Sequence, residues 1–242
     1  MKVQPVSFEL EIKLDAAWCV GTGMSRGLID RTTRRNARGE VYIPASTIKG
    51  RLRNACEDVA RLYCDADAQL QRCQPPAPQN MCHGAAPCIV CRLFGSVYVG
   101  ERLFFDDAVL RDDLSEIYDP AAQSQPRTRV QLDRRRGVAA TGHLFSTEYA
   151  EPELVFRTQV TGGLALTPLA GEKAVAYELI LLAAGVRMVK ELGGDKSAGF
   201  GACEMSFASD IRVGNQREEA VEVSPNDLIS DWLEWLEYYG TE

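Results

Sequence analysis

The sequence predicts an α+β fold with the strand–helix–strand–strand–helix–strand order of the ferredoxin-like βαββαβ pattern. Three observations carry this. Short segments alternate apolar and polar residues with period two. Two longer segments repeat at helical spacing. Two further stretches, one cysteine-bearing and one Arg-rich, interrupt the order without adding to it. At 242 residues, 45% apolar and 25% charged, the chain has an ordinary globular composition and is read as one domain, residues 1–242, with insertions at 64–95 and 111–142.

SFELEIKL sets Phe8, Leu10, Ile12 and Leu14 against Glu9, Glu11 and Lys13, a half-buried strand. VGTGMSRGLID follows as a glycine-rich loop. IPASTIKGRLRNACEDVARLYC places Ile48, Leu52, Ala55, Cys56, Val59 and Leu62 on one helical face, with Ser46 or Thr47 as cap. ERLFFDDAVL (101–110) and ELVFRTQVTG (153–162) read as the middle strands. Residues 111–142 between them are polar, Arg-rich and irregular, and so long a loop is usually functional or disordered. EKAVAYELILLAAGVRMVKEL (172–192) is apolar nearly all round and predicts a buried helix. GGDKSAGFG supplies glycines to end it, and CEMSF is the last strand. Residues 224–242 close the chain with an amphipathic helix, capped by Ser224 or Asn226, whose Trp232 and Trp235 are read as packing residues.

Four of the eight cysteines fall within 73–91, spaced Cys73-x8-Cys82-x5-Cys88-x2-Cys91. A Cys-x2-Cys pair grips one tetrahedral ion, and a second pair completes four thiolates, the preference of structural zinc. Cys64 or His83 could replace Cys73 or Cys82 in this set. No run approaches a membrane span, and the start MKVQPVSFELEIKL lacks the apolar core of a secretory signal. A reducing cytoplasm is therefore expected, where clustered cysteines hold metal more often than disulfides.

Net charge is -7, but it is uneven. Residues 24–61 hold nine Lys/Arg against four acids, residues 127–136 five Arg against one Asp, and residues 204–242 ten acids against two Arg. Local field, not the sum, decides whether a polyanion binds. STIKGRLR puts Lys49, Arg51 and Arg53 at a helix start, an arrangement that opposes the helix dipole unless an anion sits there. Asp30 is a lone carboxylate among Arg26, Arg31, Arg34 and Arg35; it is either paired with its neighbours or held against a nucleic-acid backbone. His83 and His143 are the only histidines and lie in no catalytic motif, which argues against histidine acid–base chemistry. Asp106 and Asp107 are adjacent, so in a strand they face opposite ways. GGDKSAGFG is not a nucleotide-binding P-loop, lacking Gly-Lys-Ser/Thr.

Together GTGMSRGLID, IPASTIKGRLR, QLDRRRGVAATGHLF with the following TEY, and GGDKSAGFG resemble the RAMP superfamily of CRISPR-associated proteins, over most of residues 1–208. The pattern is similar to the repeated backbone subunit of type III effector complexes. The cysteine insertion ending in CRLFG resembles the zinc-bearing type III-D and III-E branches. The resemblance implies a modified ferredoxin-like (RRM-like) palm that binds CRISPR guide RNA and polymerises along it beside other effector subunits. It implies a β-hairpin thumb, mapped to 115–140, that wedges into the guide–target duplex. It assigns target-RNA cleavage to Asp30, an endoribonuclease step with Mg2+ or a similar divalent ion, giving a 2′,3′-cyclic phosphate and a 5′-hydroxyl. RNA contacts map to Arg26, Ser46, Lys49, Arg51, Arg53, Arg127, Arg129, Arg134, Arg135, Arg136 and Lys196, and zinc ligands to Cys73, Cys82, Cys88 and Cys91. The alternatives are a structural guide-RNA-binding subunit that does not cut, and a guide-processing ribonuclease.

Overall fold

A computed structural model describes residues 3–63, 73, 77–82, 87–167, 176–214 and 220–230. In chain order its elements are β1 (Val3–Leu14), α1 (Ala45–Tyr63), α2 (Ile89–Phe94), β2 (Leu103–Phe105), β3 (Val109–Leu110), α3 (Asp112–Ile117), β4 (Ser124–Asp133), β5 (Val138–Ala150), β6 (Val155–Ala165), α4 (Tyr177–Met188), β7 (Cys203–Phe207), β8 (Ile211–Val213), β9 (Val221–Val223) and α5 (Pro225–Ser230).

The fold is mixed, helices with an antiparallel sheet. β1 is central, paired to β6 along its length, with Phe8 opposite Val160 and Ile12 opposite Phe156. Its other edge is shared: β7 pairs with Leu10–Leu14 and β8 with Val6–Ser7. β2 and β3 both pair with β6, and β9 extends the sheet from β8. The alternation read from β1 sorts its two faces. Val6, Phe8, Leu10, Ile12 and Leu14 are buried against the helical layer. On the opposite face Glu11 pairs with Arg157 at 2.9 Å.

Within the helical layer α1 and α4 cross closely. A Cβ at Gly185 would overlap Cys56 Sγ, so the glycine lets α1 approach α4 at this point. α4 is buried on every side as expected, from Tyr177 through Val186.

Several expectations need correction. The single strand over 101–110 is broken at Asp106–Asp107, because Ala108 leaves β6 to exchange backbone hydrogen bonds with Ile43 at 2.8 and 2.9 Å. Ser46 and Thr47 do not cap α1. The helix starts at Ala45, and the Ala45 N–H is accepted by Asp107 Oδ1 at 2.7 Å. Residues 111–142 are not irregular: α3 leads into a β4–β5 hairpin that runs on to Ala150. β8 and β9 were not anticipated; three residues each are too few to show a period. Of the C-terminal helix only α5 lies within the described residues; Trp232 and Trp235 fall outside them, as do Cys64 and His83. Among the described residues no helix is long and apolar enough to cross a membrane.

Candidate functional site

The glycine-rich loop after β1 is stitched to itself and to the hairpin. Thr22 and Thr32 hydroxyls lie 2.7 Å apart, and Arg26 and Ile29 exchange backbone bonds at 2.8 and 3.1 Å across its tip. Asp30 follows that tip and is exposed. Its N–H donates to Ser146 O at 2.9 Å, and its Oδ2 accepts the Ser146 N–H at 2.8 Å. The Asp30 carboxylate is thus fixed against β5.

A half-buried ionic hub holds the next residues to the hairpin base. Glu148 Oε1 accepts Arg35 Nη2 at 2.9 Å and Ser124 Oγ at 2.5 Å, and its Oε2 accepts the Thr33 N–H at 3.0 Å. Arg35 Nη1 also reaches Pro120 O at 2.8 Å. Burial alone would raise the Glu148 carboxyl; the hydrogen bonds from Ser124, Arg35 and Thr33 outweigh it and hold it below the usual carboxylate range.

Arg31 follows Asp30 in the chain and lines a different surface, a cleft of about 540 Å³. Besides Arg31, three segments that are distant in sequence build this cleft: the Cys19–Gly23 stretch, the first turns of α1 at Ser46, Thr47, Gly50 and Arg51, and the Gly193–Asp195 loop. Glycines on each wall leave the backbone open to close approach. Arg31 and Arg51 are its cations; Arg51 Nε also donates to Glu191 O at 3.0 Å. Burial, reinforced by Asp195, pushes the Cys19 thiol on its wall up to about 11, so it stays protonated at neutral pH.

The other two cations at the start of α1 are placed elsewhere. Lys49 Nζ pairs with Glu101 Oε1 at 2.8 Å. Arg53 Nε pairs with Glu57 Oε1 at 2.8 Å and its Nη1 donates to Gly95 O at 2.8 Å. Neither lines the cleft.

The far cleft wall is pinned to the hairpin by stacking. Tyr149 and Phe200 rings lie 4.3 Å apart, and the Arg129 guanidinium sits 4.4 Å from the Phe200 centroid. Arg127 lies 5.6 Å from the same ring. Tyr149 Oη donates to Asp195 Oδ2 at 2.5 Å, and Arg129 Nη1 approaches that oxygen at 3.5 Å. Burial and then the Asp195 carboxylate push the Tyr149 phenol up to about 12. Lys196 follows in the same loop and is half-buried. Arg134, Arg135 and Arg136 occupy the exposed hairpin turn, where Asp133 Oδ1 accepts the Arg135 and Arg136 N–H groups at 2.9 and 3.2 Å. The hairpin also exposes Val130, Leu132, Leu144 and Phe145.

Cys73, Cys82, Cys88 and Cys91 converge, all buried, with their sulfurs within 4.8 Å of one another. Cys73 Sγ lies 3.1 Å from both Cys82 Sγ and Cys91 Sγ. A tetrahedral ion with metal–sulfur bonds of about 2.3 Å needs sulfurs about 3.8 Å apart, inside this range. The Cys82 N–H donates to Cys73 Sγ at 3.0 Å and the Cys88 N–H to Cys82 Sγ at 3.3 Å, the orientation that supports thiolate ligands. Burial, then the Cys82 thiol, pushes Cys73 up to about 11, a direction that a bound cation reverses. The donor set therefore fits a metal such as zinc.

Arg31, Glu148, Tyr149, Asp195 and Phe200 are not among the site residues that the sequence assigns, although Arg31 neighbours Asp30 and the other four fall in the motifs TEY and GGDKSAGFG. Asp195 carries a further local signal, since Asp tolerates the left-handed conformation it adopts at φ 57.

The family model for RAMPs, the RAMP superfamily, matches residues 11–204. Among solved structures, the fold is similar to a chain of the type III-B Cmr-beta complex bound to cognate target RNA, with TM-score 0.58 and 14% identity over 83% of this chain and 96% of that one. It is similar also to a chain of Cmr-beta in the apo state, with TM-score 0.56 and 13% identity over 84% and 98%. No curated protein matches the sequence.

Proposed function

The chain belongs to the RAMP superfamily, and on that premise we propose that it is a guide-RNA-binding backbone subunit of a type III CRISPR effector complex that cleaves complementary target RNA. The likeness in fold to a chain of a complex bound to target RNA supports this reading. The strand order β7–β1–β6–β2/β3 supports a ferredoxin-like palm, and the β4–β5 hairpin with its arginines and exposed apolar side chains is the proposed thumb. The cluster is a structural zinc site like those of the III-D and III-E branches, and thiols kept free for metal suit the cytoplasm.

The observation that carries the proposal is the juxtaposition around Asp30 and Arg31. Arg31 lines the cleft with Ser46 and Arg51, where guide phosphates would lie over the start of α1. Asp30, one residue away, is held at the hairpin, where target would pass. Guide–target pairing then selects the sequence, and the protein grips backbone and shape. Beside Asp30 a target 2′-hydroxyl attacks its own phosphorus, forming O2′–P and breaking P–O5′. Asp30 Oδ1, the oxygen not bonded to Ser146, takes the hydroxyl proton, and the leaving 5′-oxygen gains one from water. A divalent ion, proposed as magnesium, would neutralise charge at the phosphate; one carboxylate completed by substrate phosphates and water is its usual setting.

A second reading has one observation in its favour. The Asp30–Ser146 hydrogen bond gives the carboxylate a structural role through Oδ2, which by itself suits a subunit that binds but does not cut. The two separate in the assembled complex with guide, labelled complementary RNA and magnesium. Cleavage at regularly spaced sites should fall about 10²- to 10⁴-fold in Asp30→Ala, the usual worth of a positioned acid–base group, with target binding retained. Unchanged cleavage would leave this chain a scaffold.

A further inference from the structure

The three cations in the first half of α1 divide by helical geometry. Lys49 and Arg53 are four residues apart and share a face; Arg51 is rotated by about 200° from Lys49. Ser46, Thr47, Gly50 and Arg51 line the cleft. Lys49 and Arg53 reach instead to residues 91–101, the stretch that leaves the cysteine cluster: Lys49 to Glu101 at 2.8 Å, Arg53 Nη1 to Gly95 O at 2.8 Å and Arg53 Nη2 to Cys91 Sγ at 3.9 Å. Gly95 fills this junction with a positive φ of 78, and a Cβ there would press on the backbone of Val99 and Glu101.

Four thiolates around a divalent ion carry a net charge of about -2. Here all four are buried, where an uncompensated charge is costly. The Arg53 side chain is only 21% exposed, and Glu57 Oε1 holds its Nε at 2.8 Å, leaving both Nη groups for Gly95 and Cys91. Its fork is therefore already aimed at Cys91 before any ion binds.

We propose that Arg53 is the counter-cation of the metal–thiolate centre, and that through Arg53 and Lys49 the metal-bearing segment sets the pose of α1 and so of the opposite face that lines the cleft. Arg53 on this account is a positioning residue and not an RNA ligand. The second half rests on the reading of the cleft as an RNA site; the first half does not.

The test is zinc retention by the purified full chain against a competing chelator, for wild type, Arg53→Met, Arg53→Lys and Arg51→Ala, with guide-RNA binding measured in parallel. Arg53→Met should release zinc about 10- to 100-fold more readily, as loss of an outer-shell partner does. Arg53→Lys keeps the charge and should recover part of this, and it decides the matter if the Met variant does not fold. Arg51→Ala should hold zinc like wild type while losing RNA affinity, and zinc-stripped wild type should also bind RNA more weakly. Folded Arg53→Met with wild-type zinc retention would overturn the inference, most directly if its RNA affinity fell as in Arg51→Ala. A wild type that takes up no zinc would sink the metal reading with it. Intact RNA binding in Arg51→Ala would sink only the cleft reading, and zinc retention would still decide the role of Arg53.

Discussion

Asp30 and Ser146 hold each other through two hydrogen bonds, Asp30 N–H to Ser146 O at 2.9 Å and Ser146 N–H to Asp30 Oδ2 at 2.8 Å. The loop carrying the candidate catalytic carboxylate is thereby registered on the hairpin. Asn at this position retains an acceptor oxygen but no negative charge. Asp30→Ala should lower stability by about 0.5–1.5 kcal/mol and Asp30→Asn by less, while both remove cleavage. Denaturant midpoints read with the cleavage assay check this; an Asn variant that still cuts would exclude carboxylate chemistry at Asp30.

Arg51 faces the cleft, whereas Lys49 is paired with Glu101. Arg51→Ala should therefore reduce the dependence of log K for guide RNA on log salt by about 0.7, the share of one phosphate contact on a single strand. Lys49→Ala should leave the slope nearly unchanged. Equal slopes for the two variants would mean that the Lys49–Glu101 pair opens to RNA.

Glu148 makes the Arg35 hub sensitive to acid. Its carboxyl lies below the usual range in the fold, so its stabilising contribution is present above the unfolded carboxyl value of about 4.3. That contribution is lost as pH falls through the lower folded value. Glu148→Gln should cost about 1.5–3 kcal/mol at neutral pH, the scale of charged hydrogen bonds, and should flatten the acid limb of the stability curve. Thermal melts between neutral pH and pH 3 measure both effects; an acid limb as steep as that of wild type would assign it to other carboxylates.

Metal removal should act on the insertion. Purified protein should carry about one zinc per chain, and the Cys88→Ser, Cys91→Ser double variant should carry none. Cys56→Ser, outside the cluster, should keep it. Chelation should expose backbone amides around the cluster to hydrogen exchange, because metal binding and local folding are one free energy there. Exchange unchanged by the chelator would show that the segment folds without metal.

At the α1–α4 crossing, Gly185→Val would drive a side chain into Cys56. Overpacking of this kind costs about 1–3 kcal/mol. A urea titration should show a lower midpoint with an unchanged slope; a wild-type midpoint would mean that the helices can separate freely.

Much of the architecture is legible along the chain because it is local and periodic. The alternation of Phe8, Leu10, Ile12 and Leu14 is the buried face of β1, and the unbroken apolarity of Leu179–Val186 is the core helix. The spacing of Cys73, Cys82, Cys88 and Cys91 marks the four sulfurs that converge, since ligand spacing is itself a local constraint. Periodicity does not show the hairpin, which the family resemblance alone implies over 115–140, because both faces of β4–β5 are largely exposed and no burial pattern alternates. Residues 101–110 read as one continuous strand because the break depends on Ile43, more than 60 residues away in the chain.

By itself, the sequence determined the β1 and α4 core and singled out the four cysteines that converge, because these are written in local spacing, while its motifs carried the resemblance to the family that the chain belongs to. Which cations face the cleft was decided only in three dimensions. Lys49, Arg51 and Arg53 are equivalent as a string of basic residues. The turn of α1 sends Arg51 to the cleft, and Glu101, Gly95 and Cys91 claim the other two. Charge shows in composition, but its direction is set by the partners that satisfy it, and beyond the local Arg53–Glu57 pair those partners are distant in the chain.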